Sequence, residues 1–551
     1  MEVYLKNFDK KVSVNGGESL MNLWRANASA GAATPICAKV NNKTEPLCYQ
    51  VFAPKQVEFI GVEHPSGRRV YVRSLSMMLY KAVTELYPGT ELKICHSIAG
   101  GYLCKLQGVE VTAQVVSDLE AAMHSIAERD IEFVRHEELT RDVIEIFRRQ
   151  GLADKVALFE TIHELYTVYY TLDGLADSYY GPLAPSTGLV STFALRPYHR
   201  GFLLMPPARA NLSEPEQPVA HDKMYAAFRD YVDFNHIIGV SDVGSLNRST
   251  LAGRSADLIN VAEALHDKKI AAIADEIARR YAEGGARIVL IAGPSSSGKT
   301  TTAKRLSIYL MTNLLRPKMI SLDDYFVNRE ATPRDIDGDY DFESLYALDL
   351  EQFNADLNAL LEGREIDMPT YNFTLGKRQY LGNKLRLDPH DVLVIEGIHG
   401  LNPELTASIE ERMKFRVYVS ALTTLAIDDH NWVPTTDNRL LRRIVRDHKY
   451  RGTSALETIK RWPSVRRGEE RWIFPYQENA DVTFNSSLIF ELAVMKPYAD
   501  ELLRNFPNDV PQYAEAYRLR KFLSYFIPIE INDIPPTSLL REFLGGSSFK
   551  Y

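Results

Sequence analysis

One octapeptide restricts this chain more than any other stretch: Gly293-Pro294-Ser295-Ser296-Ser297-Gly298-Lys299-Thr300 fits G-x-x-x-x-G-K-[ST] at every fixed position. Its flanks have the required character. Residues 287–292 are a short apolar run of buried-strand type, and 301–310 have helical spacing with Leu306, Ile308 and Leu310 available for packing. In a strand, glycine loop and helix of this kind, backbone N–H groups converge on phosphate oxygens where unpaired donors and the helix dipole favour an anion. The sequence thus predicts a nucleoside triphosphate site formed by Gly293, Ser295, Ser296, Ser297, Gly298, Lys299, Thr300 and Thr301. Lys299 would follow the β and γ phosphates, and Thr300 would ligate Mg²⁺.

At 551 residues the chain exceeds what one hydrophobic core serves, so two to four domains are expected. Apolar content of 45% and charged content of 25% are those of an ordinary soluble protein. No apolar run approaches the ~18 residues of a membrane span, and the N-terminus lacks the pattern of a secretory signal. These features predict a cytoplasmic protein without a membrane partner. Cys37, Cys48, Cys95 and Cys104 have no C-x-x-C spacing and read as buried, reduced thiols. A net charge of −8 argues against a protein that coats nucleic acid.

Residues 1–62 alternate in the manner of a small β-grasp unit, with a short helix at 20–26. A helix is predicted at 73–87, closed by Pro88-Gly89, and an amphipathic one at 115–127; α+β material runs to about residue 200. Residues 205–222 hold four prolines and read as a loop or linker. Helical stretches at about 224–237 and 255–283 lead into the phosphate-loop strand. Beyond it, β-rich runs at 318–321, 392–395 and 415–419 alternate with helical segments, which predicts an α/β domain with a parallel sheet covered on both faces.

The acceptor side decides where a phosphoryl group goes. Asp323 follows the strand at 318–321, where a carboxylate could take a hydroxyl proton and help hold Mg²⁺; the alternative is an N-cap or turn aspartate. Glu396 ends the strand at 392–395 and suits a metal or its water. Residues 439–471 hold eleven Lys/Arg in 33 positions, either a solvated basic helix or a clamp. Arg439, Arg442, Arg443 and Arg446 share a helical face from which they could grip phosphate oxygens.

Together, GPSSSGKT, SLDDYF, the Tyr371-Asn372-Phe373 triplet, IEGI and the arginine-rich 439–452 resemble the uridine kinase/phosphoribulokinase family over about residues 285–500. The resemblance implies an ATP- and Mg²⁺-dependent kinase of a small-molecule hydroxyl, nucleoside or sugar-like. It makes Asp323 the catalytic base, Glu396 metal-associated, and Arg443, Arg446 and Arg451 a lid over the phosphates. Tyr371 and Phe373 could wall the acceptor pocket or simply pack as core, and Glu343 is a further candidate for contact with the acceptor. The family's pyrimidine readers are a histidine five residues after the tyrosine, an arginine after the lid and a glutamine beyond it. Here those positions hold Gly376, Thr453 and Arg461.

Residues 1–62 resemble a TGS domain, and 63–204 resemble the editing domain of threonyl-tRNA synthetase. Arg73, Met77, Tyr179 and Leu183 stand where that family has its His/Cys constellation, so a binding or regulatory module is expected, without zinc or editing activity. Residues 205–284 would be linker and helices, and 285–551 the kinase-like domain with its C-terminal extension. With 24 Lys/Arg against 28 Asp/Glu in residues 1–240, binding to nucleic acid is open but not indicated by charge. The alternative to a kinase is a nucleotide-switched RNA- or ribosome-associated protein. No guanine-reading Asn-Lys-x-Asp motif occurs, since Asn383-Lys384-Leu385-Arg386 lacks the aspartate. The oligomeric state is not legible.

Overall fold

Apolar runs bounded by loops build the central sheet of the C-terminal half. In the computed structural model, which describes residues 1–551, β1 (Ile288–Ala292), β2 (Arg316–Ser321), β3 (Asp391–Glu396), β4 (Lys414–Ser420) and β5 (Val482–Asn485) form one sheet. Its order is β2-β3-β1-β4-β5 and every pairing is parallel. Strands β1 and β3 are buried on both faces, as their unbroken Val/Ile/Leu sequences require. Helix α1 (Lys299–Thr312) returns the chain from β1, and α2 (Leu350–Leu361) lies between β2 and β3 in sequence. Of the residues expected to pack from α1, Leu306 and Leu310 are buried; Ile308 is exposed. An antiparallel hairpin, Ile366–Asn372 with Lys377–Leu385, stands apart from the sheet. After β4 come α3 (Thr435–Arg451) and α4 (Ala455–Trp472), separated by Gly452 at φ +63° and a Ser454/Glu457 capping box. Helix α5 (Glu491–Arg504) follows β5.

At the N-terminus, Glu2–Leu5 pairs antiparallel with Lys10–Ser13 and parallel with Lys55–Ile60, which continues to Cys37–Val40 and Lys43–Glu45. Helix Leu20–Asn27 starts at Ser19, whose hydroxyl accepts from the Asn22 amide. Next, helix Pro65–Leu86 begins earlier than its periodicity suggests, with Pro65 in the first turn and His64 as cap. A four-stranded antiparallel sheet follows, ordered Ala194–Tyr198, Gly201–Met205, Gly101–Gln107 and Glu91–Ile98. Residues 206–221 contain no helix or strand. Helix Val243–Leu251, capped by Asp242, has no counterpart in the sequence pattern, because nine residues are too few to show a period. Cys37 and Cys104 are buried, whereas Cys48 is exposed, against expectation. No helix is long and apolar enough to cross a membrane.

The two halves share one core. Val143, Phe147 and Leu158 from the N-terminal half pack in the same apolar cluster as Val243 and Leu246, Leu440 and Ile444 of α3, and Phe522 and Leu540 near the C-terminus. Beside it, Lys155 is fully buried between Asp177 at 2.9 Å and Asp428 at 2.8 Å. Asp177 also accepts from the Tyr179 hydroxyl at 2.7 Å and meets His430 Nδ1 at 2.8 Å. The Asp428 carboxylate receives the Asn431 amide, so each buried charge has partners.

Candidate active site

The phosphate loop turns where side chains cannot fit. A Cβ on Gly293 would lie 1.9 Å from the Val419 carbonyl oxygen, because β4 passes directly behind the loop. Gly298, the N-cap of α1, has φ +84°. The amides of the first turn of α1 have no intrahelical acceptors and form the anion-seeking end of the helix. Lys299 Nζ donates to the Pro294 carbonyl at 3.1 Å, folded back along the loop. Ser296 and Ser297 have buried hydroxyl oxygens without partners, consistent with a loop shaped for a polar guest.

Three adjacent strands deliver the remaining groups to the same edge. Thr300 donates its hydroxyl to Glu396 Oε1 at the end of β3, at 3.2 Å. These hard oxygen donors suit Mg²⁺, which keeps several waters and needs few protein ligands. Burial pushes Glu396 up to about 7, with Lys299 opposing. Asp323 stands in the 3₁₀ turn Leu322–Tyr325 after β2. The capping function there belongs to Ser321, whose hydroxyl accepts from the Asp323 amide at 3.3 Å, so the Asp323 carboxylate is free for other work. Its side chain is exposed to solvent, and the protein packed around it removes part of its water. This desolvation raises its pKa, while Lys299, Arg451 and Arg446 act in the opposite direction. Asp324 instead accepts from the Tyr371 amide at 3.2 Å and ties down the hairpin.

Glu343 lies close to Lys299 and Asp323; burial first, and the charge of Glu469 second, push it up to about 7. Tyr371 is buried with its hydroxyl unpartnered, while Phe373 is exposed. Their rings meet at 5.1 Å, and both meet Phe326 edge-on. Gly376 has φ +65°, and a Cβ there would lie 2.8 Å from Arg329 Nε. The guanidinium of Arg329 thus fills the space beside this glycine and donates to the Phe373 carbonyl at 2.5 Å.

The arginine face of α3 divides into two sets. Arg439 and Arg442 are wholly buried and cannot clamp a phosphate, contrary to the expectation from their spacing. Arg439 pairs with Glu469 and donates to the Ser295 carbonyl at 2.9 Å. Arg442 pairs with Glu491 of α5 at 2.6 Å. Both brace the loop from behind. Arg443 donates to the Ser295 hydroxyl at 2.7 Å, and Arg446 and Arg451 flank Asp447 at 2.8 and 3.6 Å. Those three lie near the site carboxylates, Arg443 by Glu343 and Arg446 and Arg451 by Asp323. Arg461, expected in the acceptor pocket, is solvent-exposed on α4.

Two carboxylates on the loop had no sequence signal. Glu469 of α4 accepts from the Ser295 amide at 3.1 Å. Glu542 accepts from the Thr301 hydroxyl at 2.5 Å. They lie 174 and 241 positions from their partners, and no local pattern reports such a pairing.

In the N-terminal half, the Arg73 guanidinium donates to the Pro182 carbonyl at 3.2 and 3.0 Å. Met77 and Leu183 are core residues, and Tyr179 is committed to Asp177.

A parallel sheet whose first strand feeds a glycine loop and helix, with carboxylates at the ends of the neighbouring strands, defines a P-loop nucleotide-binding domain. Residues 288–489 match the phosphoribulokinase/uridine kinase family. A uridine kinase of Lactobacillus helveticus is 31% identical over 196 residues, which is 35% of this chain and 84% of that protein. One from Brevibacillus brevis is 29% identical over 200 residues, 36% of this chain and 84% of its own. A solved D-glycerate 3-kinase from Cryptococcus neoformans var. grubii has 15% identity and a TM-score of 0.21, covering 46% of this chain and 87% of that one. The chain belongs to the phosphoribulokinase/uridine kinase family through this domain, and family membership supports an ATP-dependent kinase acting on a small molecule.

Proposed function

We propose that this protein transfers the γ-phosphate of ATP to a hydroxyl of a nucleoside or sugar-like acceptor. The observation that carries the reading is the convergence of Lys299, the Thr300–Glu396 pair and an uncommitted Asp323 at the ends of three neighbouring strands. Asp323 takes the acceptor proton as its oxygen attacks the γ-phosphorus. The new O–P bond forms as the bond to the β,γ-bridging oxygen breaks, leaving ADP. Lys299 follows the phosphates, and Arg443, Arg446 and Arg451 answer the charge that develops on the transferring group. Mg²⁺, held through Thr300 and Glu396 with Asp323 nearby, would neutralise phosphate charge when bound.

Tyr371, Phe373 and Glu343 are assigned to the acceptor pocket. A glycine with Arg329 beside it, in place of an imidazole, presents a cation where a pyrimidine reader would stand. Uridine and cytidine should be poor acceptors, and a purine nucleoside or an anionic sugar compound should do better. We assign residues 1–62 as a TGS-like β-grasp module and 63–204 as an editing-type domain stripped of its chemistry, in a cytoplasmic protein.

Steady-state kinetics with ATP, Mg²⁺ and a panel of nucleosides and sugar derivatives test the assignment. Turnover should require an acceptor, and a uridine kcat/KM above all others would refute the specificity. Nucleotide hydrolysis indifferent to every small acceptor but stimulated by RNA or ribosomes would replace the kinase with a nucleotide-driven switch.

A further inference from the structure

The C-terminal segment 535–551 lies on the phosphate loop itself. Thr301 is the third residue of α1, and its amide is one of the unpaired donors that make the helix end attractive to phosphate. Glu542 Oε2 receives that amide at 3.4 Å and the Thr301 hydroxyl at 2.5 Å. The hydroxyl of Tyr551 stands 2.8 Å from the same Thr301 oxygen. Leu539 covers Gly298 so closely that a Cβ there would fall 2.7 Å from its methyl group.

The segment is anchored on both sides. Lys449 of α3 donates to the Leu544 carbonyl at 2.5 Å, and the Phe543 ring receives the Arg442 guanidinium at 5.1 Å. Ser538 donates to the buried Glu263 at 2.5 Å. A carboxylate cannot share an amide and a hydroxyl with a phosphate oxygen. Two anions competing for one pair of donors repel each other as well.

We propose that the C-terminal segment is an intramolecular plug: Glu542 occupies the phosphate-binding donors of Thr301, and nucleotide binding requires its displacement. This rests on the reading of the loop as a triphosphate site. The plug lowers the affinity for nucleotide in the resting protein, and any partner that draws off residues 535–551 activates the site.

The test is calorimetric titration of the full-length protein and its Glu542→Gln variant, in Mg²⁺, with ATP and separately with inorganic tripolyphosphate. Glu542 is half-buried and the amide is isosteric, so the fold is kept. Loss of a charged competitor should tighten both ligands on the order of tenfold in the variant. Saturating ATP should speed hydrogen exchange at residues 535–551 of the wild type, where the Ser548 amide now bonds the Pro536 carbonyl. Equal affinities with unchanged exchange would overturn the plug and leave the kinase assignment standing. Weaker ATP binding by Glu542→Gln, with tripolyphosphate unaffected, would also overturn it, making the segment a wall that reads the nucleoside. Failure of both proteins to bind both ligands would refute the triphosphate site and the plug with it.

Discussion

Lys299 and Asp323 divide the proposed transfer between charge and proton. Lys299→Ala should abolish turnover, because the charge that tracks the β and γ phosphates is gone. Near-normal turnover by the folded variant would show that another site does the work. Asp323→Asn keeps the shape but accepts no proton, and should lower kcat by about 10²–10⁴-fold with ATP affinity much less changed. Asp324→Asn should retain most of its activity, since that side chain serves the Tyr371 amide. The opposite ranking would move the base by one residue. Desolvation raises Asp323, and its anion is the active form. The acid limb of kcat/KM, which reports the free protein, should therefore lie above the ordinary aspartate value of about 3.9.

At the scale of elements, α3 is both brace and lid, and the two functions should separate experimentally. Glu491→Gln leaves Arg442 buried without its counter-charge, which costs about 3–5 kcal/mol in urea unfolding. Arg451→Gln, on the exposed end of the helix, should leave the unfolding midpoint unchanged and lower kcat. A midpoint shift in the second variant, or none in the first, would reverse the division. The core strands and the phosphate loop were legible because burial on both faces writes an apolar run and because the glycine positions are sterically fixed. The helical spacing of Arg439, Arg442, Arg443 and Arg446 was legible too. Which arginines face inward was not, for it depends on Glu469 and Glu491 arriving from later helices. Arg461 shows the same limit: ungapped counting gives a position but not a direction.

Across the whole molecule, the buried charge network at the junction of the halves should impose a pH dependence on stability. Burial alone would lower the pKa of His430, but the charge and hydrogen bond of Asp177 outweigh it and the net shift is upward. A histidine so raised contributes its full stabilisation below its unfolded value of about 6.5 and loses it as pH rises through the folded value. The Tm of the wild type should therefore fall from about pH 6 to about pH 9 relative to that of His430→Gln. Parallel profiles for the two proteins would mean that the imidazole is uncharged in the fold. The shared core has a consequence for the order in which the protein can be made. Arg69 bonds Glu515, 446 positions away, and Val143, Phe147 and Leu158 wait for Leu440, Phe522 and Leu540. On a ribosome the first sixty residues can close around their own apolar centre at once. The neighbouring unit must hold an uncovered apolar face until residues 440–540 have been made, which exposes the nascent chain to aggregation in the interval.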